Sequence, residues 1–411
     1  MNIWIFNHYA HPPDVPGGTR HYDLGQQLVK RGHRVTIFAS SFHHYLRREI
    51  RLQPKEDWKI DDVNGVKFAW IRTPPYQRND LRRVWNMISF ALRVLRLGYE
   101  LAPEISKPDV VIGSSPHLLT PLVAYRVARH HKAPFVMEVR DLWPQTIIDM
   151  GGLSTRHPIT KVLQMLERFL YHRAVKIITL LPLAHEYITD CGIPREKIVW
   201  IPNGVDLARF QGLESKSYSD DSFTVMYLGA HGLANALDVL IRAAKVVQDR
   251  GFYEIKFVLV GDGPEKPRLI TLAKELGVRN VEFRLPVPKN EVPHILRTAD
   301  ATVFILHDIP LYKYGISLNK LFDYLAAGKP LVLAGSPSNN PVKEARCGLT
   351  VPPRDPATLA EAIITLYKMP REERETMGLR GRRYVEEHYS VERLVDRLEE
   401  VLLGILKKRE P

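Results

Sequence analysis

The amino-acid sequence predicts an α/β protein in which two doubly wound, Rossmann-like domains face each other across a cleft. Short apolar runs rich in β-branched residues alternate with helical patterns along the whole chain of 411 residues. Such runs are typical of parallel strands buried on both faces, and the helices between them provide the crossover connections. The alternation restarts after residues 208–221, a segment of serine, glycine and charged residues that is interpreted as a linker.

Seven candidate strands define a first domain at residues 1–207. They lie at Ile3–Asn7, Arg34–Ala39, Val66–Arg72, Asp109–Ser114, Pro134–Val139, Val175–Leu180 and Lys197–Ile201. Helical patterns at Tyr22–Arg31 and Val84–Leu97 follow the first and third of these strands. The spacing is that of a sheet whose strands are joined by helices.

Six further candidate strands define a second domain at residues 222–390. They lie at Phe223–Leu228, Lys256–Gly261, Asn280–Arg284, Ala301–Leu306, Pro330–Ala334 and Leu349–Pro352. A final helical pattern within residues 391–411 is long enough to pack back on the first domain. Each domain then has a size within the usual range for a single core.

The charge distribution indicates an anionic partner for the first half of the chain. Lys and Arg exceed Asp and Glu by 12, and residues 1–212 contain 29 basic and 19 acidic residues. Four arginines surround the helical pattern at Val84–Leu97, namely Arg82, Arg83, Arg93 and Arg96. A basic, amphipathic helix of this kind is predicted to lie on an anionic membrane surface. A partly buried helix with solvated arginines is the alternative.

The sequence predicts a cytoplasmic protein, with peripheral association at the inner face of the cell membrane. No apolar run approaches the roughly 18 residues of a membrane span, and Met1–Tyr9 lacks the features of a signal peptide. The two cysteines, Cys191 and Cys347, share no metal-binding or redox spacing. A reducing compartment is therefore expected.

The first loop with chemical content precedes a helix and contains Gly17 and Gly18. Ligands of doubly wound sheets bind beyond the carboxyl ends of the strands, and paired glycines before a helix let backbone N–H groups approach an anion. Both glycines are therefore predicted to bind the donor, with a flexible turn as the alternative. Arg20, His21 and Ser115, which lie in or after such loops, are candidates for binding the acceptor.

The equivalent loop of the second domain contains His231 between Gly229 and Gly232. Gly229 is predicted to bind the donor, and His231 is a catalytic candidate that could donate a hydrogen bond to a phosphate or a leaving group. Arg284, at the end of a neighbouring strand, is a further donor-binding candidate.

The third loop predicts the most specific anion site of the chain. It enters a short helix, so the backbone N–H groups of residues 316–318 are expected to be free. Asn319 and Asp323 share one helical face and suit hydrogen bonds to ribose hydroxyls, while Lys320 adds a positive charge. The donor-binding candidates here are Gly315, Ile316, Ser317, Leu318, Asn319, Lys320 and Asp323. A capped helix with a solvated Asp323 is the alternative.

A fourth segment places Glu138, Arg140 and Asp141 at the end of one predicted strand. All three are catalytic candidates, although a salt-bridge scaffold explains Glu138 equally well. The sequence contains no Walker loop, Gly-x-Ser-x-Gly elbow, His-Glu-x-x-His motif or Asp-x-Asp pair. We therefore expect neither a metal nor another cofactor.

Several short motifs recur in a fixed order along nearly the whole chain. They are Pro16-Gly-Gly, Arg31-Gly-His, Ile201-Pro-Asn-Gly-Val-Asp, Val260-Gly-Asp-Gly-Pro and Ala327-Gly-Lys-Pro. Together they resemble the retaining family 4 glycosyltransferases of the GT-B fold. The stretches Arg140-Asp-Leu-Trp-Pro and Ser317-Leu-Asn-Lys are similar to the branch that builds bacterial surface polysaccharides, which includes N-acetylfucosaminyl- and N-acetylglucosaminyl-transferases of O-antigen or capsule assembly.

The resemblance implies a metal-independent, retaining transferase. Its donor would be a UDP-linked sugar, an N-acetylated hexosamine in this branch, held by the second domain. Its acceptor would be a polyprenyl-diphosphate-linked saccharide on the first domain. The family usually has two glutamates around the third loop, where this chain has Gly315 and Asp323. The Arg and Lys that follow the Gly229 strand in the family are also absent, and Arg140 stands where many members have His.

Two other function classes stay open. A sugar-nucleotide epimerase, which is an isomerase, can share this two-domain architecture. A non-enzymatic nucleic-acid binder would account for the net charge, but the sequence contains no recognisable nucleic-acid module.

Overall fold

The computed structural model describes residues 1–212 and 222–408, which form two compact units. Unit 1 comprises Met1–Pro13, Gly17–Pro202 and Val391–Pro411, and unit 2 comprises Asp14–Pro16 and Asn203–Ser390. This division falls between Pro202 and Asn203, whereas the sequence prediction placed the end of the first domain at residue 207. Most of the predicted linker, residues 213–221, lies outside the described residues, as do the last three residues of the predicted C-terminal helix.

Unit 1 is built on a sheet of eight strands in the order β10-β9-β8-β7-β1-β2-β6-β5. The strands of this unit are β1 (Asn2–Phe6), β2 (Arg34–Ser40), β3 (Phe42–His43), β4 (Arg48–Glu49), β5 (Trp58–Val63), β6 (Val66–Ile71), β7 (Val110–Ser114), β8 (Phe135–Val139), β9 (Lys176–Thr179) and β10 (Ile198–Trp200). All seven predicted strands are confirmed. The short strands β3 and β4 form a separate antiparallel pair.

One edge strand of the unit 1 sheet is antiparallel and was not among the predicted strands. Strand β5 pairs with β6 in antiparallel register, from Trp58↔Ile71 to Val63↔Val66. Its sequence has no continuous apolar run because an edge strand is only half covered, and none of its six residues is buried. The sequence pattern used for the buried strands could not detect it.

Helices cover both faces of the unit 1 sheet. They are α1 (Arg20–Lys30), α2 (Leu81–Glu100), α3 (Ala102–Ile105), α4 (Leu119–His130), α5 (Gln145–Asp149), α6 (Pro158–Arg173), α7 (Ala184–Asp190) and α15 (Val391–Lys407). Ile3 and Ile5 of β1 belong to the core that also contains residues of α1 and α15. Phe6, the residue after Ile5, packs near Gly98 of α2 on the other face. Side chains of a strand alternate between the two faces, so this arrangement covers the sheet on both sides.

The final helix, whose length allowed it to return to the first domain, packs on unit 1. Leu394, Leu398 and Leu402 of α15 are buried in the same core as Leu28 of α1. At the surface, the Arg31 guanidinium donates to Asp396 and Glu399 at 2.6 Å each. The chain therefore returns to its first unit after completing the second.

Unit 2 contains a parallel sheet of six strands in the order β13-β12-β11-β14-β15-β16. Its strands are β11 (Phe223–Leu228), β12 (Ile255–Val260), β13 (Val281–Arg284), β14 (Ala301–Ile305), β15 (Leu331–Ala334) and β16 (Gly348–Val351). Its helices are α8 (Leu237–Asp249), α9 (Lys266–Glu275), α10 (Val292–Arg297), α11 (Asn319–Ala326), α12 (Pro341–Glu344), α13 (Pro356–Lys368) and α14 (Arg371–His388). All six predicted strands are confirmed, and strand order reverses around β11, where doubly wound folds bind ligands.

None of the helices within residues 1–212 and 222–408 combines the length and the hydropathy needed to span a bilayer.

Candidate active site

Glu138, at the end of β8, is the centre of a buried polar network in unit 1. Its carboxylate accepts hydrogen bonds from Arg20 Nε at 2.8 Å, from His21 Nε2 at 2.6 Å and from the Ser114 hydroxyl at 2.6 Å. Burial by itself would raise the pKa of Glu138, but Arg20 and His21 outweigh burial and hold this pKa well below its usual range. The carboxylate is ionised and fully engaged, so the structure favours the scaffolding alternative over a catalytic role for Glu138.

The same network engages the two residues predicted to bind the acceptor. Besides Glu138, the Arg20 guanidinium donates to the carbonyl oxygens of Ile201, at 2.9 Å, and Pro202. His21 Nε2 hydrogen-bonds to Glu138, and the pKa of His21 is lowered because burial outweighs its favourable interaction with that carboxylate. These hydrogen bonds connect α1 to the end of β8 and to the segment after β10. The predicted contact of Arg20 and His21 with the acceptor is not supported by them.

Arg140 and Asp141 extend from the same strand end without engaging the protein in this way. The Arg140 backbone N–H donates to the Ser115 hydroxyl at 2.9 Å, so Ser115 positions this turn as a buried support. Within the described part of the chain, neither the Arg140 guanidinium nor the exposed Asp141 carboxylate forms a hydrogen bond. Of the three catalytic candidates at the end of β8, Arg140 and Asp141 therefore remain available to a substrate.

The Gly17–Gly18 loop has the backbone that the sequence prediction requires. Gly17 adopts a φ of 137°, which favours glycine, and it packs near His11 and Tyr45. Helix α1 starts three residues later, and no side chain caps the N–H groups of its first turn. The loop therefore keeps the features of an anion-binding turn.

In unit 2, the loop after β11 packs directly on the loop after β12. The His231 N–H donates to the Asp262 carbonyl at 2.8 Å, and the Glu265 N–H donates to the His231 carbonyl at 3.0 Å. A Cβ atom at Gly261 or Gly263 would collide with backbone atoms of the His231 loop. The Gly-Asp-Gly sequence is therefore explained by the close approach of two loops.

His231 is buried, and neither ring nitrogen has a hydrogen-bond partner among the described residues. Burial lowers the pKa of His231 to about 4. The ring is neutral near pH 7, so it cannot supply positive charge to a leaving group. Hydrogen bonding by the neutral ring is the role that the structure leaves open.

Lys320 projects from α11 towards the loop after β11. Its ammonium donates to the Tyr227 hydroxyl at 2.8 Å and to the Asn235 side-chain oxygen, and it lies 5.3 Å from the centre of the Phe304 ring. Gly229 leaves room for the lysine stem, because a Cβ atom there would lie 3.1 Å from Lys320 Cδ. Burial lowers the pKa of Lys320 to about 7.

No carboxylate forms an ion pair with Lys320 in the part of the chain that the structure describes. A buried cation without a counter-ion is costly, and a bound anion offsets that cost. The surroundings of Lys320 are therefore those of an anion site.

The loop before α11 differs in part from the prediction. The Ile316 N–H is not free, because it donates to the Asn339 side-chain oxygen at 2.6 Å. The Ser317 hydroxyl accepts from the Asn203 N–H at 2.8 Å, but the N–H groups of Ser317 and Leu318 have no partner among the described residues. Gly315 adopts a φ of 96°, which brings this loop to the start of α11.

Asp323 is buried rather than solvated, and it pairs with Lys289, a residue that the sequence analysis missed. Asp323 Oδ2 accepts from Lys289 Nζ at 2.5 Å, while Asp323 Oδ1 is buried without a partner in the described structure. The free oxygen is consistent with a ribose contact. Asn319 precedes it by one helical turn, as the spacing predicted.

Arg284 does not join this group. Its exposed guanidinium pairs with Glu282 on the same strand, at 2.7 and 2.9 Å. Residues two apart lie on one side of a strand, which explains the pair. Its predicted contact with the donor is not supported.

Two domain families match the chain. Residues 17–204 match a family described as "Glycosyl transferase 4-like domain", and residues 222–369 match "Glycosyl transferases group 1". The provisionally named colanic acid biosynthesis glycosyl transferase WcaI of Escherichia coli (strain K12) is 23% identical over 320 residues, which are 74% of this chain and 76% of WcaI.

Solved structures share the fold over nearly the whole chain. The sucrose-phosphate synthase of Thermosynechococcus elongatus superposes with a TM-score of 0.77 at 17% identity, covering 99% of both chains. Anabaena HepE, solved in complex with UDP and glucose, superposes with a TM-score of 0.68 at 15% identity, covering 97% of this chain and 98% of HepE.

Proposed function

The chain belongs to the glycosyltransferases of the GT-B fold, and we propose that it transfers a sugar from a nucleotide-sugar to a lipid-linked saccharide in surface polysaccharide biosynthesis. The observation that carries this proposal is the Lys320 ammonium, which has no carboxylate partner among the described residues and extends from the first turn of α11. Such an arrangement suits the diphosphate of a nucleotide-sugar.

Charge develops on the leaving diphosphate as the bond to the sugar breaks. In unit 2, the free N–H groups of Ser317 and Leu318, the start of α11 and Lys320 can stabilise this charge. These groups are the chain's own, so we propose transfer without a metal ion. The free oxygen of Asp323 and the amide of Asn319 are assigned to the ribose.

We assign UDP as the nucleotide and an N-acetylated hexosamine as the sugar. The assignment of UDP is supported by HepE, which was solved with UDP and glucose. The assignment of the sugar is supported by the resemblance of Arg140-Asp-Leu-Trp-Pro and Ser317-Leu-Asn-Lys to transferases of that specificity. The role in polysaccharide assembly is supported by the name of WcaI.

We propose that transfer proceeds with retention, by attack of the acceptor on the face from which the diphosphate leaves. Glu138 is not presented as a nucleophile, because both of its carboxylate oxygens are engaged by Arg20, His21 and Ser114. Asp141 is exposed and is assigned to orient and activate the acceptor hydroxyl.

The acceptor is proposed to be a polyprenyl-diphosphate-linked saccharide at an anionic membrane surface. On α2, large apolar side chains are exposed at Leu81, Val84, Trp85 and Leu92, and Arg82 beside them is exposed as well. Two of the predicted arginines are less available, because Arg93 pairs with Asp57 at 2.8 Å and Arg96 with Glu100 at 3.0 Å. The N-terminal half of α2 is therefore the part assigned to the lipid.

Helix α6 carries a second exposed apolar stripe that the sequence analysis missed. Ile159, Val162, Met165 and Phe169 recur at helical spacing and are all exposed. Lys161 and Arg173 on this helix add positive charge. A second copy of this chain would be repelled by that charge, whereas an anionic bilayer complements it.

Product analysis tests the proposed function. The full chain is incubated with each of UDP-GlcNAc, UDP-glucose and UDP-galactose, with and without a farnesyl-diphosphate-linked GlcNAc acceptor, in the presence of EDTA. Transfer that requires the acceptor and yields the α-linked product from an α-linked donor supports the proposal. Conversion of the nucleotide-sugar to its epimer without acceptor would instead show an isomerase.

A further inference from the structure

We propose that five imidazole rings in unit 1, together with Arg83 and Arg140, form the binding site for the phosphorylated saccharide head of the acceptor. The rings are those of His8, His11, His43, His44 and His117, which we call the imidazole cluster. The ligand class is a sugar that carries a phosphate or diphosphate ester. Its role as acceptor rests on the proposed function, whereas its binding does not.

The fold brings the imidazole cluster to one edge of the sheet. His8 and His11 follow β1, His44 lies in the segment after β2, and His117 follows β7. These three strands are neighbours in the order β7-β1-β2. The carboxyl ends of parallel strands meet at one edge, which is where ligands of such folds bind.

The rings pack closely on one another. His8 Nδ1 and His117 Nε2 share a hydrogen bond of 2.8 Å, and the His11 ring stacks on the His43 ring with centres 4.3 Å apart. The His44 ring completes the group, with its centre 5.9 Å from that of His11. Tyr9 joins these two groups of rings, with its ring centre 4.3 Å from that of His8 and 4.6 Å from that of His44.

Several ring nitrogens of the imidazole cluster have no hydrogen-bond partner among the described residues. Both ring nitrogens of His11, Nε2 of His8 and Nδ1 of His117 are buried without a hydrogen bond in the described structure. His8, His11 and His117 are each at least 98% buried. Buried polar groups are normally satisfied, so such a concentration of unsatisfied nitrogens indicates a place for a ligand.

The rings of His8, His11 and His117 are neutral near pH 7. Burial is the main cause that lowers the pKa of His8 and His11 well below the usual range and the pKa of His117 to about 3. A neutral imidazole offers one N–H donor and one acceptor nitrogen. A sugar hydroxyl also donates and accepts one hydrogen bond or more, so a saccharide can satisfy the free nitrogens of the cluster.

Two guanidinium groups belong to residues near the imidazole cluster: Arg83 is in the first turn of α2, and the Arg140 backbone N–H donates to the hydroxyl of Ser115, two residues before His117. After burial and His43, the charges of Arg83 and Arg140 both lower the pKa of His44, so both groups lie near this ring. Arg83 donates to the Asn79 side-chain oxygen at 3.0 Å, and its Nε is buried without a partner.

Neither arginine forms an ion pair in the described residues, and Asp141 next to Arg140 is hydrogen-bonded to neither of them. A phosphate ester would form ion pairs with these two guanidinium groups while the sugar contacts the imidazole cluster. The site therefore suits a saccharide that carries phosphate.

The position of Arg83 connects this site with the surface assigned to the lipid. Arg83 lies in the first turn of α2, between Leu81, which is 83% exposed, and Trp85, which is 55% exposed. A ligand with its saccharide on the imidazole cluster and its phosphate at Arg83 could continue as a lipid along α2. A free sugar phosphate would contact the imidazole cluster and Arg83 but not the apolar side chains of α2.

Binding to the full chain tests the site without turnover. Titration calorimetry is performed with farnesyl-diphosphate-linked GlcNAc, with GlcNAc 1-phosphate and, separately, with UDP. We expect Arg83→Met and Arg140→Met each to raise the Kd of the phosphorylated sugar at least tenfold, with the Kd of UDP unchanged within twofold. Arg126→Met, at an exposed position on α4 of the same unit, is the matched control and should change neither Kd by more than twofold.

Arginine-dependent binding of either sugar probe supports the site, and the tighter probe identifies whether the lipid-linked or the free phosphate is the source. Absence of binding by both probes, or an equal Kd in the Arg83→Met protein, overturns it. If the sugar phosphate binds but no UDP-sugar is turned over, the proposed function fails and the site stands. If transfer occurs and the acceptor KM is unchanged in Arg83→Met, the proposed function stands and the proposed site fails.

His11→Phe distinguishes a ligand-binding role of His11 from a role in packing alone. The substituted ring can still stack on His43 but has no nitrogens to leave unsatisfied. We expect its melting temperature to be equal to or above that of the original protein, and its Kd for the phosphorylated sugar to rise at least fivefold. A lower melting temperature with unchanged affinity would assign His11 to packing alone.

Discussion

The ammonium of Lys320 lies 2.8 Å from the hydroxyl oxygen of Tyr227 and 4.5 Å from the centre of its ring. Tyr227 belongs to β11, and the loop after this strand, residues 229–236, contains no Lys or Arg. Helix α11 therefore supplies the positive charge that this loop lacks. The resembling family usually has basic residues there, so Lys320 provides an equivalent charge from another element.

Lys320→Gln is expected to lower kcat by about 100- to 1000-fold, because one preorganised group for a developing oxyanion contributes about this much. The measurement is initial-rate kinetics with a UDP-sugar and the lipid-linked acceptor. Lys274→Gln, at an exposed position on α9 of the same unit, is the control and should retain full activity. A variant at position 320 with undiminished kcat would remove the ammonium from the mechanism.

Donor affinity is expected to weaken as the pH rises above neutrality. Burial lowers the pKa of Lys320 to about 7, so the free protein loses this charge above that pH. The diphosphate binds the protonated lysine and takes up a proton on binding, so the Kd of UDP-GlcNAc should rise by up to about tenfold per pH unit. Calorimetry without acceptor measures it, and a parallel slope in Lys320→Gln would contradict the assignment.

Glu138→Gln is expected to reduce the free energy of unfolding by about 3–5 kcal/mol, because it leaves the buried Arg20 charge uncompensated. Urea unfolding at pH 7 measures this loss. The pKa of Glu138 is lowered in the folded state, so its stabilisation is present above the ordinary pKa of glutamate and lost as the pH falls through the lowered one. Equal stability of the two proteins at pH 7 would contradict the scaffold role.

Asp141→Asn separates acceptor activation from stability. The carboxylate is exposed and has no hydrogen bond in the described residues, so the unfolding free energy should change by less than about 0.5 kcal/mol. We expect kcat to fall by about 100-fold, as for removal of a general base, with the Kd of UDP unchanged. Full transfer activity in this variant would exclude Asp141 as the activating group.

Binding to anionic vesicles is expected to depend on the N-terminal half of α2. Sedimentation with phosphatidylglycerol vesicles should show affinity that falls at high salt, and Trp85→Ser should weaken it about tenfold or more, since a large apolar side chain no longer enters the interface. Leu285→Ser removes a side chain of unit 2 that is 76% exposed and should have no effect. Salt-independent binding, or equal loss in both variants, would argue against this surface.

The sequence predicted the loops of the candidate site but not the state of their side chains. The run from Gly315 to Lys320 was identified because a glycine, a short helix start and a lysine are adjacent in the chain. Ile316 was assigned a free N–H because its partner, Asn339, lies 23 residues away. A contact of that kind depends on how two loops pack, which no local pattern contains.

The buried pairs illustrate the same distinction. Glu138 was open to two interpretations, and the choice came from Arg20, 118 residues away, whose guanidinium reaches it across the sheet. Asp323 was expected to be at a ribose site, but its partner Lys289 was not foreseen. The five histidines of the imidazole cluster gave no signal, because they lie in three separate segments that only the parallel sheet brings together.

The sequence alone determined the two-domain α/β architecture, the places of all thirteen parallel strands, and the glycine-containing loops at their ends. Local apolar periodicity and turn residues specify these features directly. The tertiary structure decided which charges are paired, which rings are neutral and which groups remain open to a substrate. Those properties depend on burial and on partners distant in the chain, since desolvation and electrostatic interaction act through space.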